Sequence, residues 1–177
     1  MVGHRIGFLG IFAGDIGLSE YRGGLMVTDE SGKPLEYRIA AWVRPNALVR
    51  AAYGSTLNEH VVAELIASPL MSQLEYKPRV VFVNDLMALD RDGAYATAHL
   101  THQESVALID EFDVQTLSSS ANQPALSVIQ YSSIPARDRE EIVALLERAR
   151  TQFDPYDVFS RIMKVHNIVA EEDARFS

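Results

Sequence analysis

Arg79-Val80-Val81-Phe82-Val83-Asn84-Asp85 is the stretch on which the fold turns. It is a compact apolar run that stops abruptly at an amide and a carboxylate. A run buried on both faces is the mark of a central strand in a parallel sheet, where helices cover both sides. In open α/β sheets, ligands bind beyond the carboxyl ends of such strands, which singles out Asp85. The plainer role for Asn84 or Asp85 is to cap a short helix over Leu86–Asp90.

On the amino-terminal side, strands are expected at Ile6–Ala13, Gly24–Asp29 and Leu35–Val43. In the last of these, Leu35, Tyr37, Ile39, Ala41 and Val43 alternate with Glu36, Arg38, Ala40 and Trp42, predicting one buried and one wetter face. Glu30-Ser31-Gly32-Lys33-Pro34 is the turn that joins the two as a hairpin. Arg44-Pro45 can open a helix that Gly54 stops, with Ala47, Leu48, Ala51 and Ala52 on one face. Thr56-x-x-Glu59 has the spacing of a capping box, with Val61, Val62, Leu65 and Ile66 as the apolar stripe behind it. Ser68-Pro69 is expected to restart or kink the chain.

Towards the carboxyl terminus, Val106–Ile109 and Leu126–Tyr131 are further strand candidates, and Gln115–Pro124 reads as an exposed loop. Ile142, Leu145, Leu146 and Ala149 recur at helical spacing. Asp154-Pro155 opens a last helix through Val158, Phe159, Ile162 and Met163.

Three meandering antiparallel strands, a helical crossover, a central parallel strand and carboxyl-terminal helices make a mixed α/β sheet. The element order is similar to that of ribonuclease H-like proteins, and roadblock- or profilin-like sandwiches share much of it. One α/β domain over residues 1–177 is expected, because the loose stretch is too short to separate two cores. The ribonuclease H-like order implies an acid on the first strand, one on the first helix and one after the fourth strand. Asp15, Glu64 (or Glu59) and Asp85 are the corresponding residues. Such acids converge on Mg²⁺ or Mn²⁺ ions to stabilise the attacking and leaving oxygens of a phosphodiester.

The chain has 177 residues, 47% hydrophobic, with a formal net charge of −8. It has no cysteine, which excludes disulfides, thiolate zinc sites and a cysteine nucleophile. That absence favours a reducing compartment, and the cytoplasm is expected. Ile6–Ala13 lies behind His4 and Arg5 but is short, contains Gly7 and Gly10 and lacks a cleavage pattern, so it reads as a strand and not an export signal. No run approaches the ~18 apolar residues of a membrane span. Residues 51–130 carry three basic and ten acidic side chains, a net of −7. An acidic middle of this kind predicts weak binding of nucleic acid by the isolated chain.

Other chemistry is thinly represented. His99-x-x-His102 has metal-ligand spacing only if it lies on a helix, and Gly93, Thr97 and Thr101 argue against one. Gly7-x-x-Gly10 and Gly14-x-x-Gly17 precede no helix that could receive a phosphate. There is no Walker lysine, dinucleotide fingerprint or nucleophile elbow. Trp42, Tyr156 and Phe176 are candidate anchors for a partner. The expected function is therefore a cytoplasmic protein-interaction or regulatory subunit without catalysis, cofactor or direct nucleic-acid binding, with a protein partner or self-association. The alternative is a divalent-metal phosphodiesterase or nuclease of ribonuclease H-like type, using Asp15, Glu64 and Asp85.

Overall fold

The computed structural model describes residues 3–13, 20–102 and 110–176, except for the side chain of Phe176. Seven strands form one mixed sheet: β1 (Ile6–Ala13), β2 (Tyr21–Thr28), β3 (Pro34–Ile39), β4 (Val80–Val83), β5 (Ala96–Thr101), β6 (Phe112–Leu117) and β7 (Leu126–Tyr131). Their spatial order is β3-β2-β1-β4-β5-β7-β6. β1, β4 and β5 run parallel, while β2, β3, β6 and β7 complete the sheet through antiparallel pairs. This is the mixed α/β sheet, of ribonuclease H-like order, that the sequence predicts.

β4 is the most enclosed strand, with all four residues at 0% exposure. Its continuous apolar run has the reason foreseen: each face of the sheet carries its own core. Ile6, Phe8, Met26, Val80, Phe82, Ala98 and Leu100 face α4 (Ala136–Arg150) and α5 (Asp157–Phe176). Leu9, Ile11, Leu25, Val27, Val81 and Val83 face the helices of the crossover.

That crossover begins with α1 (Ala47–Tyr53), capped by the Asn46 side chain on the Val49 N–H, and none of its seven residues is buried. It continues through α2 (Leu57–Glu59), a π-helix over His60–Ala67 and α3 (Ser68–Ser72). The capping box does not form: Thr56 Oγ1 donates to the Tyr53 carbonyl, because the chain is already turning as a 3₁₀ segment there. Pro69 is tolerated because the helix widens just before it, with Ser68 N–H donating to Ala63 O, five residues back. A proline ring clashes with the carbonyl four residues back in a regular α-helix, and a π turn relieves that crowding.

Several boundaries move. β3 is an edge strand ending at Ile39, and Leu35 and Ile39 are exposed, so its alternation buries less than the period of two suggests. Val43 rejoins the sheet only through a bridge to Tyr21. β5 carries the threonines and histidines that obscured it, and β6 takes in the first residues of the supposed loop at Gln115–Pro124. Val106–Ile109 lies outside the described residues. Met163 and Leu65 are exposed, on the outer sides of their helices.

Candidate functional site

β1, β4 and β5 all point their carboxyl ends towards the same side of the sheet, where Asn84 and Asp85 emerge. Asn84 is held like a strand residue. Its Oδ1 accepts from Ile11 N–H at 2.7 Å and its Nδ2 donates to the Ile11 carbonyl at 3.1 Å. Asp85 takes the plainer role as well: Oδ1 accepts from the Met87 N–H at 2.9 Å and caps the 3₁₀ helix Leu86–Ala88. A carboxylate has capacity for about four hydrogen bonds, so capping leaves Asp85 with acceptor capacity to spare.

His99 stands next to them on β5, in register with Val83. Burial holds its pKa below the ordinary histidine value, against the opposing pull of the Asn84 backbone and the Asp85 charge. The imidazole is therefore neutral at pH 7. Its Nδ1 is buried without a hydrogen-bond partner among the described residues. His102 is not its companion: an extended strand sends residues three apart to opposite faces. His102 Nδ1 instead meets the Ala125 carbonyl at 3.1 Å, with its ring 4.0 Å from that of Tyr156. Tyr156 itself packs against the core, which leaves little of it to anchor a partner.

Of the three acids expected at a two-cation centre, Asp15 lies outside the described residues. Glu64 is on the π-helix and pairs with Nδ1 of His60 at 2.8 Å, while the His60 ring stacks on Tyr53 at 4.0 Å. Asp85 caps its own turn. Among the described residues, no group of three or more His, Asp or Glu is placed to hold a metal ion. The described donors thus do not fit a divalent-cation centre by themselves, and no chemical step is derived through Mg²⁺ or Mn²⁺.

Two features escape the sequence. One is the setting of His99, which the sequence marks only as half of a His-x-x-His pair among threonines. The other lies at the same end of the sheet, on β2 and after β3. The Arg22 guanidinium lies 3.3 Å from the centroid of Trp42, and that of Arg44 lies 5.5 Å from it. A larger cavity, about 580 Å³, opens at the opposite, amino ends of β4 and β5 against α4. Two of the three arginines that line it are matched locally: Arg79 pairs with Glu141, and Arg91 pairs with Glu111 and covers the Tyr131 ring. The carboxyl end is the better candidate, since a neutral histidine and a carboxylate both stand at the ends of its strands.

Two histidines, His166 buried and His99 partly so, also set a pH dependence. His166 donates from Nε2–H to the Gly23 carbonyl at 2.8 Å, and burial holds its pKa low as well. An unfolded histidine binds its proton near pH 6.5, whereas these two resist it when folded. The unfolded state thus gains protons first as pH falls, so stability is present above about pH 6.5 and declines below it. The melting temperature is expected to drop between pH 7.5 and 5.5, and His166→Gln should flatten that slope. An unchanged slope in the variant would remove His166 from the account.

No protein-family model matches the chain, and no curated protein does. Solved structures similar to it include Ciona intestinalis Endonuclease V in complex with a 24mer DNA containing an inosine followed by a ribo-adenosine. That likeness has 10% identity and a TM-score of 0.46 over 81% of this chain and 77% of the other. Marinitoga piezophila Argonaute in complex with 5′ OH guide RNA is another, at 12% identity and a TM-score of 0.39. It covers 82% of this chain, which spans about a quarter (26%) of the Argonaute chain.

The expectation of a non-catalytic interaction subunit without direct nucleic-acid binding is corrected here. The similar structures are an endonuclease and an Argonaute, both in complex with nucleic acid. A charge summed along the sequence does not show where cations meet in space: Arg22 and Arg44, twenty-two positions apart, both lie against Trp42. No helix among the described residues is long and apolar enough to cross a membrane.

Proposed function

We propose that the chain is a nucleic-acid phosphodiesterase working at the carboxyl ends of β4 and β5, within a single α/β domain in the cytoplasm. One observation carries the reading: at the ends of adjacent parallel strands, Asp85 follows β4 and the partly buried His99 lies on β5 in register with Val83, its Nδ1 without a partner among the described residues. A neutral imidazole can take the proton of an attacking water as the water oxygen bonds to phosphorus and the bond to the leaving oxygen breaks, the leaving oxygen taking a proton from solvent. Asp85 steadies the imidazolium that results. General-base assistance of this kind contributes about 10²–10⁴-fold.

The test is cleavage of end-labelled single-stranded DNA and RNA in buffer containing millimolar Mg²⁺ and Mn²⁺. His99→Gln is expected to lower kcat by about 10²–10⁴-fold and to remove the acid limb of the pH–rate profile. Asp85→Asn should lower kcat while the protein stays folded. Failure of the wild type to cut either strand, or full activity in both variants, would overturn the reading.

A further inference from the structure

From Tyr37 to Asn58 the chain has no Asp or Glu, although it has 24 acids in all. The same stretch carries Arg38, Arg44 and Arg50 with Trp42 and Tyr53. Arg38 is engaged by Glu36 and Glu75 on β3's side of the sheet. Arg44 is more open: its side chain is 65% exposed, with Nε 2.7 Å from a carboxylate oxygen of Glu20. Arg22 comes from β2, opposite Phe12 near the carboxyl end of β1, and reaches Asn167 through Nη1 at 3.3 Å. Both guanidiniums lie against the Trp42 indole.

We propose that Arg22, Trp42 and Arg44 form a platform for a single-stranded nucleic acid, the guanidiniums taking its phosphates and the indole a base. A guanidinium has five N–H donors in a fixed fork, more than these contacts use, and that fork matches a phosphate. The indole holds the Arg22 guanidinium in place without neutralising it, whereas Arg44 is paired with Glu20 and would share its charge between that carboxylate and a phosphate. Aromatic rings interleaved with arginines bind single strands through stacking and backbone contacts, with little dependence on sequence. α1 adds to the argument: it follows Arg44 directly, buries none of its residues and carries Leu48 at 77% exposure, so core packing does not explain it. The platform shares the carboxyl end of β1 with Asn84 and lies at the same end of the sheet as Asp85. It rests on the proposed function only in taking nucleic acid as the ligand.

Trp42 is the only tryptophan in the chain, so its fluorescence reports on the platform alone. The probe is a 12-nucleotide oligo-dT, titrated in EDTA so that binding is read without turnover. Saturable quenching is expected, with an affinity that falls as salt rises. Arg22→Gln/Arg44→Gln should weaken binding at least tenfold and lower the log–log salt slope by about 1.4, at ~0.7 per lost phosphate contact on a single strand. Arg44→Gln alone, at an exposed position, should shift both in the same direction while melting like the wild type. By anisotropy of labelled oligo-dT, Trp42→Ala should lose about 5- to 100-fold in affinity.

Absence of quenching, or unchanged affinity and slope in both arginine variants, would overturn the platform. Equal binding of a poly-glutamate peptide would overturn it too, as a surface for any polyanion. The two proposals separate cleanly. Asp85→Asn is expected to bind oligo-dT in EDTA, so intact binding without cleavage would sink the phosphodiesterase and leave the platform standing. Cleavage by the double arginine variant with wild-type KM would do the reverse.

Discussion

Phe8→Ala should destabilise the protein by about 3–5 kcal/mol, the cost of emptying a large aromatic site in a core that cannot collapse around it. Phe8 sits on β1 at 0% exposure, with ring centroids of Phe82, Phe159 and Phe153 at 5.7, 6.0 and 6.2 Å. Those rings come from β4, from α5 and from the turn between α4 and α5. Truncation therefore strands partners on three separate elements. The two edge-on contacts, to Phe153 and Phe159, add a specific aromatic term of about 0.5–1.5 kcal/mol each to the lost burial. Urea unfolding is the direct measurement, and a shift of some 2–4 °C in melting temperature per kcal/mol is expected for a domain of this size. A loss below about 1 kcal/mol would place Phe8 among ordinary surface positions and contradict the three-layer packing.

Gly23→Ala is the second large effect, and it acts by crowding. A methyl group built on Gly23 would stand 2.1 Å from Cγ2 of Ile66. Ile66 is buried in the π-helix, and Cγ2 sits on its β-carbon with no flexible chain to swing aside. The helix or the strand must move. Overpacking of this kind costs about 1–3 kcal/mol, with Gly23→Val at the upper end or beyond. On the opposite face, Gly24 is confined too, though less tightly, with Ile162 Cγ2 2.7 Å from where its Cβ would lie. The Gly23-Gly24 pair is therefore the thin point of β2, where helices press on both faces. Differential scanning calorimetry on Gly23→Ala and Gly23→Ser should show matching losses, and neutrality in both would mean that the π-helix is free to lift.

Much of this architecture is written locally. The run Val80–Val83 needs cover on two sides, and no arrangement but an interior strand supplies it. The hairpin is equally plain, because Asp29 Oδ1 gathers the Ser31 and Lys33 N–H groups while Gly32 takes φ of 81°. β5 is less legible, since Thr97 and His99 are polar side chains on an interior strand. Thr97 is buried because its hydroxyl donates to the Asp90 carbonyl and accepts from the Asp90 N–H, a pairing made across seven residues. The platform was hidden for a related reason. Arg22 and Trp42 are twenty positions apart and meet only after the hairpin closes. Asp85 was legible from its position after β4, whereas the state of His99 depends on burial that no sequence window records.

Asn84 sets a limit on what chemistry this end of the sheet can hold. Its amide both gives and takes, answering the Ile11 carbonyl with N–H and the Ile11 N–H with oxygen. A carboxylate has nearly the same outline but only takes. Set at this position it would face the Ile11 carbonyl with lone pair against lone pair, prising β1 from β4 just where the two strands finish. Negative charge is thus barred from the last rung of the ladder and admitted one step later, at Asp85, where a backbone N–H awaits it. The address of the carboxylate is decided by the donor count of its neighbour.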